Sequence, residues 1–88
     1  MRQKFVVNGL QVGRVDLVGD SRTGGLDVPK SEVRRVLGTP NVQDDPDKVG
    51  KSWGFSINGR RCGIWYYRGS TIASTFGPSD LIHRLFER

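Results

Sequence analysis

Lys51-Ser-Trp-Gly-Phe-Ser-Ile-Asn-Gly-Arg-Arg-Cys-Gly-Ile-Trp-Tyr-Tyr-Arg68 is the stretch whose reading decides the fold. Asn-Gly between two alternating runs signals a β-hairpin, because a type I′ turn needs φ > 0 at both central residues. With Asn58-Gly59 at the tip, the pairs run Ile57/Arg60, Ser56/Arg61, Phe55/Cys62, Gly54/Gly63, Trp53/Ile64 and Ser52/Trp65. Side chains alternate across a strand, so two faces follow. One carries Trp53, Phe55, Ile57, Cys62, Ile64 and Tyr66 and reads as core. The other carries Ser52, Ser56, Arg61, Trp65 and Tyr67 around the facing pair Gly54 and Gly63. Facing glycines leave a gap in the side-chain layer. Phe76 or a helix fills it in one reading; in the other, a flat anionic guest approaches between the arginine and the indole.

Working outward, Lys4-Phe-Val-Val-Asn-Gly-Leu-Gln-Val12 gives a second Asn-Gly hairpin, with Phe5, Val7, Leu10 and Val12 on one face. The apolar phase then moves to Val15 and Leu17, which predicts a bulge at Gly13. Residues 18–28 read as a loop. Its Gly19-Asp-Ser-Arg-Thr-Gly-Gly25 segment is polar and glycine-rich but lacks the spacing of a phosphate-binding loop. Pro29 to Gly38 predicts a short helix: Pro29 and Glu32 suit the first turn, Val33, Val36 and Leu37 form the apolar stripe, and Gly38 with Pro40 ends it. Residues 41–50 form a polar loop whose aspartates do not have calcium-loop spacing.

After Gly69-Ser70, Thr71 to Phe76 predicts a third strand of the meander. A two-residue turn would put Ile72 and Phe76 on the Trp65 face, and a three-residue turn would put them on the Trp53 face. Pro78 and Asp80 then open a terminal helix with Leu81, Ile82, Leu85 and Phe86 as its stripe, His83 lying off it. The expected order is ββαβββα, an α+β fold with a small antiparallel sheet and two short helices, in one domain spanning residues 1–88.

Eighty-eight residues bury only about 60–65% of the unfolded chain's surface, so dimerisation is one route to added stability, and a homodimer is among the expected assemblies. No apolar run has the length of a membrane span, and the first residues lack a signal peptide's apolar region. The single Cys62 excludes an internal disulfide and fits a reducing cytoplasm. Net charge is +5, and residues 48–79 hold Lys48, Lys51, Arg60, Arg61 and Arg68 without one acid. Such a field favours an anionic partner.

Catalysis needs a nucleophile with a base, spaced carboxylates or a metal constellation. One histidine, one core-facing cysteine and mostly loop-borne acids do not supply these parts. The expectation is a non-enzymatic protein without a cofactor.

Trp53-x-Phe55, Gly59, Ile64-Trp-Tyr-Tyr-Arg68 and Thr75-Phe-Gly77, preceded by Val36-Leu-Gly-Thr-Pro40, resemble a group of small bacteriophage accessory proteins of poorly defined function. The similarity covers residues 29–86 and departs at the N-terminal hairpin and at Arg60-Arg61. It implies an inhibitor of bacterial antiviral defence, anti-CRISPR-like or sequestering a nucleotide signal, acting in the cytoplasm of a bacterial host. Separately, Lys30 to Pro40 is similar to the helix-ending segment of β-lactamase-inhibitor-like and outer-membrane-assembly lipoprotein domains, which implies a helix-on-sheet fold.

The expected partner is therefore an anionic nucleotide or a nucleic-acid-loaded defence effector. Arg60, Arg61, Arg68 and Lys51 would donate to the anion, and Trp65 and Tyr67 would supply stacking planes. Two alternatives stand beside it: a protein–protein inhibitor that plugs an enzyme cleft, since Tyr, Trp and Arg also anchor protein interfaces, and a general nucleic-acid-binding module.

Overall fold

The computed structural model describes residues 4–15, 22–42 and 49–87. Both Asn-Gly turns form as the sequence dictates. Asn8 and Gly9 have φ of 49° and 79°, and Asn58 and Gly59 have φ of 50° and 83°, the mirror-image turn that matches strand twist. The first joins β1 (Lys4–Val7) to β2 (Leu10–Arg14), and the second joins β4 (Val49–Ile57) to β5 (Arg60–Tyr67). Between them lie β3 (Gly24–Leu26) and α1 (Lys30–Leu37); β6 (Ala73–Phe76) and α2 (Ser79–Leu85) follow. The six strands make one antiparallel sheet in the order β1-β2-β4-β5-β6-β3.

The element order is thus βββαβββα rather than ββαβββα. The added strand, β3, lies in the segment expected to be loop. Three residues, two of them glycine, carry no periodicity; β6 supplies their pairing, Leu26 opposite Ala73. Leu26 reaches the core at 6% exposure, which the local composition gave no reason to expect. A bulge at Gly13 is likewise absent. Gly13 pairs with Lys4 on one side and Ser56 on the other, in unbroken register. The irregularity falls instead in β4 between Val49 and Lys51.

The hairpin pairing Trp53/Ile64, Gly54/Gly63, Phe55/Cys62 and Ser56/Arg61 is as the sequence predicts. Trp53, Phe55, Ile57, Cys62, Ile64 and Tyr66 are each 0–1% exposed. They meet Val33 and Leu37 of α1, Ile82 and Leu85 of α2, and Leu10 and Val12 of β2 in a single core. Both helices therefore cover the Trp53 face. Side-chain hydrogen bonds fasten them: Trp53 Nε1 donates to the Gly38 carbonyl at the end of α1 (2.8 Å). Asn8 Nδ2 donates to the Arg84 and Glu87 carbonyls at the end of α2 (2.8 and 2.9 Å). Carbonyls at and just past a helix end lack the next turn's N–H, and these side-chain bonds tie both helix ends to the sheet.

Past the end of β2, Asn41 takes over the edge of β4. Its Nδ2 donates to the carbonyls of Val15 (2.9 Å) and Gly54 (3.0 Å), and its Oδ1 accepts from Gly54 N (3.1 Å). One amide side chain thereby knits the loop after α1 to two strands. At the other end of the hairpin, Ser74 pairs with Trp65, Thr75 with Ile64 and Phe76 with Gly63. This is the register of a two-residue turn. It sends Ala73 and Thr75 into the core and leaves Phe76 and Ile72 on the Trp65 face.

A basic rim at the turn end of the sheet

Strand pairing places the charges. Across four strands, Lys4 stands opposite Gly13, Gly13 opposite Ser56 and Ser56 opposite Arg61, one row on the face away from the helices. A cleft of about 240 Å³ lies along this row, lined by Lys4, Gly13, Ser56 and Arg61. On the other side of Arg61, a groove of about 490 Å³ is lined by Arg60, Arg61, Phe76, Pro78 and Thr23. Arg61 lines both hollows.

The groove is held in shape by Gly77, whose φ of 117° is one that L side chains rarely adopt. A Cβ there would stand 2.8 Å from Cys62 Sγ and 3.0 Å from the Arg61 carbonyl oxygen. Only glycine lets the chain leaving β6 press so closely against β5. Thr23 fixes the same turn from the other side. Its Oγ1 accepts from Gly77 N (3.1 Å) and donates to Gly77 O (3.2 Å).

Arg60 and Arg61 are exposed, and no acid among the described residues pairs with them. The ion pair found among those residues joins Arg35 to Glu32 on α1, at 2.9 Å. Cys62, next in sequence, is fully buried, and burial pushes its thiol up to about 11. It is held protonated beneath the groove and offers no thiolate.

The six residues singled out in the sequence do not form one site. Arg60 and Arg61 begin β5, whereas Tyr67 ends it, Arg68 follows, and Lys51 lies near the start of β4. Seven residues of extended chain separate Arg61 from Arg68, roughly 23 Å at the usual rise per residue. A single nucleotide cannot span that distance. Trp65 lies on the expected face but is 8% exposed, in a buried row between Ser52 and Ser74. Its ring is packing, not an open stacking plane, and the sequence-based assignment of Trp65 as a binding surface is corrected accordingly. Tyr67, at 45% exposure, is available, and it meets Trp65 edge-on with ring centroids 6.4 Å apart.

The acidic run 44–47 and Gly19 to Ser21 of the glycine-rich segment lie outside the described residues. Lys4, Phe76 and Thr23, which share the rim with the two arginines, were not expected there as site residues. Lys4 reaches it only through the β2–β4 pairing, a long-range contact with no local signature. Phe76 reaches it only once the register of β6 is fixed.

A third hollow, of about 370 Å³, lies at the opposite end, lined by Asp27, Lys30, Tyr66, Ser70 and Thr71. Its Tyr66 hydroxyl donates to the Val28 carbonyl (2.5 Å), and Lys30 Nζ sits 5.5 Å from the ring centroid. Burial and the nearby Asp27 charge push the phenol up to about 12. The hydroxyl is therefore a neutral structural tie. Among the described residues no group of three His, Cys, Asp or Glu side chains could hold a metal ion, and no helix is long and apolar enough to cross a membrane. No protein-family model, curated protein or solved structure matches the chain, so the rim stands on its own geometry.

Proposed function

We propose that this protein is a non-catalytic binding module that takes up phosphate groups of an anionic partner at the Arg60–Arg61 rim. One observation carries the reading: two adjacent, exposed arginines line a single groove with Phe76, and no described acid neutralises them. Guanidinium groups match phosphate oxygens with paired N–H donors, and an aromatic ring beside them accepts a base. The sealed, protonated Cys62 is consistent with binding rather than covalent chemistry. In the setting suggested by the similarity to phage accessory proteins, the partner is a nucleotide signal or nucleic-acid-loaded effector of bacterial defence, inhibited by occupancy.

Calorimetric titration with a dinucleotide and with a short oligonucleotide tests this. The double variant Arg60→Ala/Arg61→Ala should lose binding while its melting temperature stays nearly that of the parent, because exposed charges at a strand end contribute only about 0–1 kcal/mol to folding. Unchanged affinity in the double variant would remove the rim from the function.

A second reading rests on the far end of the sheet. Tyr67 and Ile72 are 45% and 50% exposed beside Arg68. An exposed aromatic, an aliphatic and an arginine suit a protein interface. Under that reading the chain plugs a protein cleft, and binding should be nearly indifferent to salt, since apolar burial is not screened.

A further inference from the structure

We infer that the guest of the rim is a single-stranded nucleic acid, lying across the strands from Lys4 to Phe76 rather than along them. The inference rests on the anion-binding reading above and names its partner. Three features carry it. First, Arg61 lines both the cleft and the groove, which sets the two hollows side by side along the rim. Second, its cations are spaced along the sheet: Lys4 at the β1 edge and Arg61 at the start of β5 stand in one cross-strand row with Gly13 and Ser56 between them, and Arg60, which alternates to the other face, lines the groove at the strand end. Small residues between separated cations leave room for a backbone to lie close to the sheet. Third, Phe76 lines the groove beyond Arg61 and is only part-buried, with its flanking turn pinned by Thr23.

Lys4 on β1 and Phe76 on β6 lie four inter-strand steps apart. At about 4.8 Å per step the track is roughly 19 Å long. A mononucleotide would reach one cation; a stacked strand at about 3.4 Å per phosphate would place about six nucleotides over the same length. Small single-strand-binding folds start at about four nucleotides, so the footprint expected here is roughly four to six. Duplex is disfavoured because Phe76 can stack only on a base whose face is free.

The test uses fluorescence anisotropy of the full chain with labelled oligothymidylates of one, two, four, six and eight nucleotides, and with an eight-base-pair duplex. Affinity should climb with length and level off between four and eight. Lys4→Ala should weaken the hexanucleotide and reduce its salt slope by about one charge, yet leave the dinucleotide unchanged. Phe76→Leu should weaken single strands about 5- to 100-fold, the range for one lost base stack. Lys4 is exposed, so that variant folds even if Phe76→Leu is impaired, and circular dichroism checks both.

Equal affinity for one and six nucleotides overturns the track. So does a Lys4→Ala hexanucleotide affinity equal to the parent's while Arg61→Ala weakens it; the rim would then survive and its length would not. Tighter binding of the duplex overturns the single-strand assignment. Failure of the folded parent to bind any of these probes overturns the track together with the anion-binding reading beneath it.

Discussion

Replacing Gly77 by alanine should be the most damaging small change at the rim, and its size follows from two separate costs. The first is conformational: at φ of 117° an L residue is strained by about 1–3 kcal/mol. The second is steric. The new methyl would sit 2.8 Å from Cys62 Sγ, 3.0 Å from the Arg61 carbonyl oxygen and 3.2 Å from Cys62 Cα. Two of those neighbours are backbone of β5 and cannot rotate away, so overpacking adds about 1–3 kcal/mol. The sum is about 2–6 kcal/mol, a large part of the about 4–13 kcal/mol available to a chain of this length.

Gly59→Ala supplies the control. Gly59 also has positive φ, 83°, but nothing lies within 4 Å of a Cβ there, so only the conformational cost applies. In thermal melts followed by circular dichroism, a loss of about 3 kcal/mol lowers the midpoint by roughly 12–24 °C in a domain of this size. Gly77→Ala should fall well below Gly59→Ala. Adding Cys62→Ala removes the sulfur, and the double variant should then lose less than the sum of the two single variants. Equal midpoints for Gly77→Ala and Gly59→Ala, or strict additivity with Cys62→Ala, would refute close packing of the β6–α2 turn on β5.

Three more outcomes are expected. Trp53→Ala should cost about 3–5 kcal/mol, and Trp65→Ala about 3 kcal/mol despite lying on the other face, because both rings are buried; urea melts in which Trp65→Ala matches the parent would contradict its burial. Ser52→Ala should stabilise by about 1 kcal/mol, since Ser52 Oγ is buried without a hydrogen-bond partner and its removal relieves a desolvation penalty; a lowered urea midpoint would show that the hydroxyl is engaged. Stability should fall as pH rises from about 9 to 12, because Cys62 and Tyr66 are held up to about 11 and 12 in the fold and the unfolded chain gives up those protons first. Below pH 9 the contribution is fully present, and a flat urea midpoint through the alkaline range would argue against both burials.

What the sequence determined by itself is everything that depends on neighbours close along the chain. Asn58-Gly59 imposes a type I′ turn, and once that turn is set the alternation of Trp53, Phe55, Ile57, Cys62, Ile64 and Tyr66 leaves no choice of core face. The stripe of Val33 with Leu37 and that of Ile82 with Leu85 mark both helices for the same reason. Tertiary structure alone decided what depends on distant partners. β3 exists because β6 offers it an edge, and the phase of β6 decides that Phe76 stands beside Gly63 and lines the arginine groove. Face assignment separated Trp65 from the main core but could not tell a covered ring from an open one, since alternation reports direction and burial depends on what packs above. The candidate site was legible only in part for the same reason. Charge at Arg60 and Arg61 is a local property, whereas the approach of Lys4 requires β2 to pair with β4, a contact more than forty residues apart along the chain.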